Sequence, residues 1–241
     1  MKRRAIHNIQ EPDVTTNLSF VAKFNSNLLD SVGLVNGTIS GTETYVAGMV
    51  GNGISLNGSS YVDFGDDDIL SIVDGSGNDV DYTFSFWYKP TSTGGGIFSK
   101  RIGGGANNSV EWLLGSGNGE LFFGTYSATN PNTNYLSCFS SGLGLATGVW
   151  YHIVWTYEPS LLPANPFRLY VNSVSKTLAF TKIGTYTNSS NTTHTAKLGT
   201  NFGTNFITGV VDELYIYKGR VLRRIDAIRI YNTNKIGNSI I

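Results

Sequence analysis

Residues 209–222 read GVVDELYIYKGRVL, and the reading of this stretch decides the fold. From Val210 to Tyr217 β-branched and aromatic residues dominate with a period of two, which predicts a strand. Past Gly219 the spacing turns helical. Asp212 and Glu213 stand side by side near the start. On one face they would form an acid/base pair or half of a metal site, but alternation sends neighbouring side chains to opposite faces. Asp212 then falls in with Val210, Leu214 and Ile216. An unpaired carboxylate on such an apolar face is very costly. Asp212 must therefore meet a metal, a Lys or Arg, or several backbone N–H groups. Glu213 falls in with Val211, Tyr215 and Tyr217.

The same period of two runs outward along the chain. In DYTFSFWYKP (81–90), Tyr82, Phe84, Phe86 and Tyr88 share one face, and Thr83, Ser85 and Trp87 share the other. YVDFG (61–65), SVEWLLG (109–115), ELFFGTY (120–126), VWYHIVWTY (149–157), FRLYVN (167–172) and AKLGTNF (196–202) are further strands. Gly- and Asn-rich stretches such as GGGANNS (103–109) and GSGNGE (115–120) read as hairpin turns. Gly58 suits a turn of positive φ. Many strands with no helices between them predict an antiparallel sandwich or barrel. One helix is expected late, in RVLRRIDAIRIYN (220–232), with Leu222, Ile225, Ile228 and Tyr231 as its apolar stripe. Residues 233–241 are expected to be a loose tail, and residues 1–17 an arm that opens with the basic cluster MKRR.

Composition narrows the function. The chain has 241 residues, enough for one large core in a single all-β domain. Charged residues make up 14%, against about 25% in ordinary domains. Glycine, Asn, Ser and Thr take their place, giving a neutral, hydrogen-bonding surface that suits sugars or protein neighbours. A formal net charge of zero gives no electrostatic footprint for nucleic acid. No run approaches the roughly 20 apolar residues of a membrane-spanning helix. The single cysteine, Cys138, excludes an internal disulfide. The opening residues lack an apolar stretch after the basic ones, so no secretory signal is expected.

The ordered set FVAKFNSNLLDSVG, GNGISLNGSSYVDFG, YTFSFWYKP, GIFSK, GVWYHIVWTY, RLYVNS, LGTNFG and GVVDELYIYKGRVL resembles the laminin-G-like, concanavalin A-like modules of bacteria and phages. The resemblance spans residues 18–232. It implies an all-β fold, a two-sheet antiparallel jelly-roll sandwich of six or seven strands a sheet, with one short C-terminal helix. It also implies a structural Ca²⁺ at the sandwich rim, with Asp30 of the NLLDSVG loop as the companion of Asp212. Relatives often carry an acidic DGN where this chain has Asn25-Ser26-Asn27, so one charge is missing. They also start the helix with Ser, Asp or Glu, whereas here Arg220, Arg223 and Arg224 stand ready to pair with carboxylates on the body or on a neighbour.

Catalytic sets are thin. Glycosidases need two carboxyls about 5–10 Å apart across the scissile bond, and no strand here alternates acids. GDDDIL (65–70) reads as a solvated turn. His7, His152 and His194 are scattered, and His152 reads as a strand histidine. A non-catalytic module is expected. The stretch TYSATNPNTNYLSCFSSG (125–142) reads as a long polar loop, and such loops often carry function. Tyr126, Asn132, Asn134 and Tyr135 in it are the candidate glycan-binding residues. The expected partners are a glycan or other virion proteins, with a homo-oligomer left open. A virion component of a phage (fibre, tail or capsid decoration) joins these traits to the absence of a signal. A secreted bacterial lectin, extracellular, is the alternative, and a hydrolase of the same fold the third reading.

Overall fold

A computed structural model describes residues 13–33, 35–101, 110–129, 131–201 and 203–241. The MKRR cluster, His7 and the expected turn at 103–109 lie outside these residues. The chain forms strands β1 Leu18–Ala22, β2 Thr38–Ser40, β3 Tyr45–Ala47, β4 Asn52–Asn57, β5 Tyr61–Asp63, β6 Tyr82–Pro90, β7 Gly94–Arg101, β8 Val110–Gly117 and β9 Glu120–Tyr126. There follow β10 Tyr135–Ser140, β11 Tyr151–Tyr157, β12 Phe167–Val171, β13 Val174–Lys176, β14 Leu178–Ile183, β15 Ala196–Leu198, β16 Thr200–Asn201, β17 Asn205–Phe206, β18 Thr208–Lys218 and helix α1 Arg224–Lys235.

The strands build two sheets. The first runs β13-β12-β11-β6-β18-β4-β3, with β1 also on β18. The second runs β14-β10-β9-β8-β7-β15-β5-β2 and carries β16 and β17 beside β7. All pairings are antiparallel except a single parallel bridge between Phe206 and Gly96. The sheets hold eight and ten strands rather than the expected six or seven. The excess lies in pieces of two or three residues, which carry too few alternations to be seen in sequence.

The core between the sheets follows the alternation. Tyr82, Phe84, Phe86 and Tyr88 of β6 all point into it. The Phe84 ring lies 4.9 Å from Trp112, 5.9 Å from Phe123 and 6.0 Å from Phe98, centroid to centroid. These tilted and edge-on arrangements suit the quadrupoles of the rings. The opposite face of β6 meets the helix side: Thr83 Oγ1 donates to Arg220 O, and Trp87 Nε1 donates to Asn234 Oδ1 at 3.1 Å. The turn at 118–119 has Asn118 and Gly119 both at positive φ, as a two-residue Asn-Gly hairpin needs.

Helix α1 lies on the outer face of the first sheet. Ala227 and Ile230 pack there with Val154, Tyr170, Tyr215, Tyr217 and Leu222. The expected stripe is therefore out of phase: Ile225 is 56% exposed. Leu222 lies in the extended lead-in, so counting helical spacing from it rotates the stripe. The helix starts at Arg224, and Asp226 in its first turn accepts the Arg223 N–H at 2.8 Å. The expected tail is fastened in part. Asn234 is buried, its Nδ2 donates to Asn238 O, and Lys23 Nζ donates to Ile241 O. At the other end Val14 is buried beneath Tyr217, whose hydroxyl donates to Val14 O at 2.8 Å. The packed body thus begins before residue 18.

The phase of the helix can be checked by urea unfolding. Ile230→Ala is expected to cost about 2–5 kcal/mol and Phe84→Ala about 3–5 kcal/mol. Ile225→Ala should stay within about 0.5 kcal/mol of the parent.

Candidate functional site

The paired acids occupy a β-bulge, and this corrects the alternation drawn from the sequence. In the β18–β6 ladder Asp212 faces Trp87 and Tyr215 faces Ser85, so two residues, Glu213 and Leu214, oppose Phe86 alone. Glu213 has φ +48°, uncommon for a residue with a side chain. The extra residue flips the parity. Val211, Leu214 and Ile216 point into the core, while Tyr215 and Tyr217 point to the helix side. Asp212 shares the outer face of its partner Trp87 and not the face of Leu214 and Ile216.

Asp212 is fully buried and works as a backbone cap. Its Oδ2 accepts the N–H groups of Met49 at 2.7 Å and Val50 at 2.9 Å, and its Oδ1 accepts the Glu213 N–H at 2.8 Å. The 48–51 loop approaches so closely that a Cβ on Gly48 would stand 2.5 Å from Asp212 Oδ2. Burial pushes the Asp212 carboxyl up to about 7, against the pull of the three amides. Burial, with the adjacent Asp212 charge, also raises Glu213 to about 7, while the Ser239 hydroxyl pulls the other way. Neither Glu213 carboxyl oxygen has a well-formed hydrogen bond among the described residues.

Asp30 serves a different loop. Its Oδ1 accepts the N–H groups of Val21 at 3.0 Å and Val32 at 3.1 Å. Among the described residues no group of three or more His, Cys, Asp or Glu gathers at a point that can hold a metal ion. Three of the four carboxylate oxygens of Asp30 and Asp212 take five backbone N–H bonds, and Asp30 Oδ2 is buried with no hydrogen-bond partner among the described residues. The Ca²⁺ expectation for Asp30 and Asp212 rests on the resemblance alone.

The other polar clusters brace the frame. Asp66 of the GDDDIL turn pairs with the buried Lys100 at 2.8 Å, and Lys100 also meets the buried Glu111 at 3.2 Å. His152 is buried, contacts Ser85 Oγ through Nε2 at 3.0 Å, and is pushed down to about 3 by burial. The three arginines bind the body. Arg223 grips Glu158 with two bonds, Arg220 bonds Asp226 and Thr16 O, and Arg224 bonds Ser173 O.

With the first sheet covered by α1, the open face belongs to the second. There the 125–142 stretch is a hairpin, not a long loop: Tyr135–Ser140 forms β10, paired to β9 from Tyr135↔Tyr126 to Phe139↔Phe122. Its inward Leu136 and Cys138 are buried, and short side chains between them disguised the alternation. Outward, Phe122 and Phe139 face each other with centroids 5.8 Å apart, and Tyr126 and Tyr135 stack at 5.4 Å. Phe139 is 51% exposed. The Phe122 ring lies on Gly115, where a Cβ would come within 2.3 Å of it. Gly124 and Ser137 pair across the strands between the two ring pairs, and the Tyr126 ring leans over Gly124, where a Cβ would meet its Cε2 at 3.4 Å.

One wall of this groove is the β16–β17 turn. It rests on the glycine run of β7: a Cβ on Gly95 would meet Phe206 O at 2.3 Å, and one on Gly96 would meet Asn201 N at 2.1 Å. The resulting groove, of about 310 Å³, is lined by Leu113, Phe122, Gly124, Tyr126, Ser137, Phe139 and Asn201, among others. Asn201 is 7% exposed, and its Oδ1 has no partner among the described residues.

Of the residues expected to bind glycan, Tyr126 and Tyr135 come together on this face. Asn134 instead ties loops, donating to Thr129 O at 2.8 Å and accepting the Thr185 N–H at 2.9 Å. Asn132 is exposed on the connecting loop. Phe122, Phe139 and Asn201 were missed. A signal existed in ELFFGTY, which carries aromatics on both faces although an antiparallel sheet commonly has one solvated face.

Two packed antiparallel sheets and a C-terminal helix define a concanavalin A-like jelly roll. The sequence agrees: a model of the concanavalin A-like lectin/glucanase superfamily matches residues 56–233, and the chain belongs to that family. Among solved structures it is similar to domain 4 of AbnA, a GH43 extracellular arabinanase from Geobacillus stearothermophilus in complex with arabinotriose. The TM-score is 0.58 at 21% identity, covering 88% of this chain and 97% of that domain. The botulinum neurotoxin serotype D ligand-binding domain in complex with N-acetylneuraminic acid gives 0.58 at 16% identity, over 91% of this chain. The receptor-binding domain of the mosaic serotype C/D toxin gives 0.63, also at 16%. This chain spans about half of each toxin domain, 52% and 51%. No curated protein sequence matches it.

Two outcomes test the acids. Asp212→Asn keeps one acceptor and turns an amide NH₂ toward backbone N–H groups, so a loss of about 1–3 kcal/mol is expected, the same in calcium as in chelator. Glu213→Gln should raise Tm, because burial holds the acid's folded pKa above its unfolded value. The wild type therefore loses stability as pH rises through about 7. The gain of the variant over wild type should be largest at pH 8 and fade toward pH 4 in paired thermal melts.

Proposed function

We propose that the chain is a non-catalytic glycan-binding module that works through the open face of its second sheet. One observation carries this reading: four aromatic rings, Phe122 and Phe139 in a tilted pair and Tyr126 and Tyr135 in a stacked one, lie on a face that no element of the described chain covers. Rings exposed as flat platforms suit the apolar faces of sugars, and the neighbouring amide and hydroxyl groups of Asn201 and Ser137 suit their hydroxyls. The arabinanase domain with arabinotriose and the toxin domain with N-acetylneuraminic acid are sugar complexes on the same fold, and they support the reading by analogy.

Hydrolysis finds less support. Asp212 and Glu213 are buried at the β18 bulge of the first sheet, and no carboxylate lines the groove. A glycosidase needs two carboxyls facing across the bond. For the setting we favour the surface of a phage virion, as a fibre, tail or decoration part, because a neutral surface low in charge suits close packing with other proteins. The alternative is a secreted lectin.

Binding is tested on a glycan array that includes neutral and charged sugars. Phe139→Ala should abolish the signals seen with wild type while shifting Tm by no more than a few degrees. Wild-type silence across the array would end the glycan reading. Mass spectrometry of purified virions tests the setting.

A further inference from the structure

The groove is short, and its shortness selects a ligand. Phe122 and Tyr126 stand four residues apart on β9, about 13 Å along the strand. Tyr126 closes the far half of that span. Its ring leans over Gly124, with Cε2 3.4 Å and the hydroxyl 3.8 Å from where a Cβ would stand. The floor that remains lies between the Tyr126 ring and the phenyl pair, and it has room for one sugar ring. Its volume of about 310 Å³ is at the small end of the range of about 300–1,000 Å³ usual for ligand pockets.

The other sides follow from the sheet order. Phe122 lies over Gly115 of β8, and Phe139 stands beside it on β10, so the phenyl rings wall one end across three strands. On the β8 side the β16–β17 turn brings Asn201 to the rim. On the fourth side Ser137 pairs with the exposed Thr181 of β14, and no described residue of β14 lines the groove. The groove is therefore walled on three sides and opens over β14. None of the lining residues carries a formal charge. The hydroxyls of Ser137 and Tyr126 can exchange hydrogen bonds with those of a sugar.

Resting on the glycan-binding reading, we infer that the groove is an end-binding site, which takes one terminal, uncharged sugar residue while the rest of the glycan leaves across Ser137 and Thr181. Phe139 stacks on the apolar face of that residue. Tyr126 is the stop: an internal sugar needs a second exit for the continuing chain, and the Tyr126 ring occupies it. Gly124 leaves the floor low enough for the sugar to sit beside that ring.

Calorimetric titration tests the inference with glucose, galactose, mannose, xylose, arabinose and N-acetylglucosamine, and with linear homo-oligosaccharides of each up to the hexasaccharide. N-acetylneuraminic acid is the charged arm. For a sugar that binds, affinity is expected to stay within about threefold from monosaccharide to hexasaccharide. A hexasaccharide blocked at both ends, reduced to the alditol at one and capped by an acetal at the other, should lose binding. Tyr126→Ala should restore binding of the blocked chain and make affinity grow with length, by about tenfold at the trisaccharide. Gly124→Ala adds a methyl 3.4 Å from the Tyr126 ring, an ordinary contact, so binding should weaken while Tm moves by no more than a few degrees. Wild-type affinity that climbs about tenfold with length, binding of the blocked chain by wild type, or full binding by Gly124→Ala would overturn the inference and leave glycan binding standing. Tighter binding of N-acetylneuraminic acid than of any neutral sugar would overturn its uncharged clause. Failure of every sugar to bind would overturn both readings.

Discussion

The fold turns on the carboxylate of Asp212. Its three backbone N–H bonds fix the 48–51 loop to the long last strand at the place where that strand bulges. On the N-terminal side of the bulge β18 pairs with β4, from Thr208↔Asn57 to Val211↔Ile54. On the other side it pairs with β1, from Ala22↔Leu214 to Leu18↔Tyr217. Along its opposite edge it pairs with β6 throughout. One strand thereby serves three partners, and the extra residue resets its parity between them. Without the reset either Val211 or the Leu214–Ile216 pair would turn away from the core.

The reset has a second effect. Tyr215 and Tyr217 face outward with Trp87, and they give α1 an aromatic bed. Tyr231 stacks on Trp87 with centroids 5.4 Å apart, and Asn234 bonds both Trp87 and Tyr215. This packing covers the outer face of the first sheet where β18, β6, β11 and β12 run side by side. Aromatic side chains on the outer face of the second sheet meet no such lid, which is why attention falls on Phe122, Phe139, Tyr126 and Tyr135 rather than on the acids.

Much of this was legible in the sequence. Long strands with many alternations, such as β6 and β11, showed their inward and outward residues residue by residue, and the Asn118-Gly119 turn showed itself by composition. Asp212 was correctly required to find partners, and several backbone N–H groups are what it found. The face it occupies was not legible, because a bulge shifts alternation by one and nothing in DELYIY marks it. Strand β10 was missed since Ser137 and Ser140 break up its apolar residues and mimic loop composition, and Thr181 and Lys182 do the same in β14. Helix phase was lost through Leu222, a core residue outside the helix. The groove needed three distant pieces, namely the rings of β9–β10, the glycines of β7 and Asn201 of β16. Only the sheet order brings them together, and that order is a long-range property.

The position of β18 in the sheet also has a consequence for synthesis. It is a central strand of the first sheet, yet it follows every other strand of the sandwich along the chain. Until Lys218 has emerged, β1 has no sheet partner and β6 keeps one long apolar edge unpaired. The nascent chain must hold nearly two hundred residues of strand-forming sequence in an incomplete state. Such open edges are where chains pair wrongly with one another. Completion then arrives in one late event, when β18 slots between β6 and the waiting β1 and β4, and α1 folds over the result.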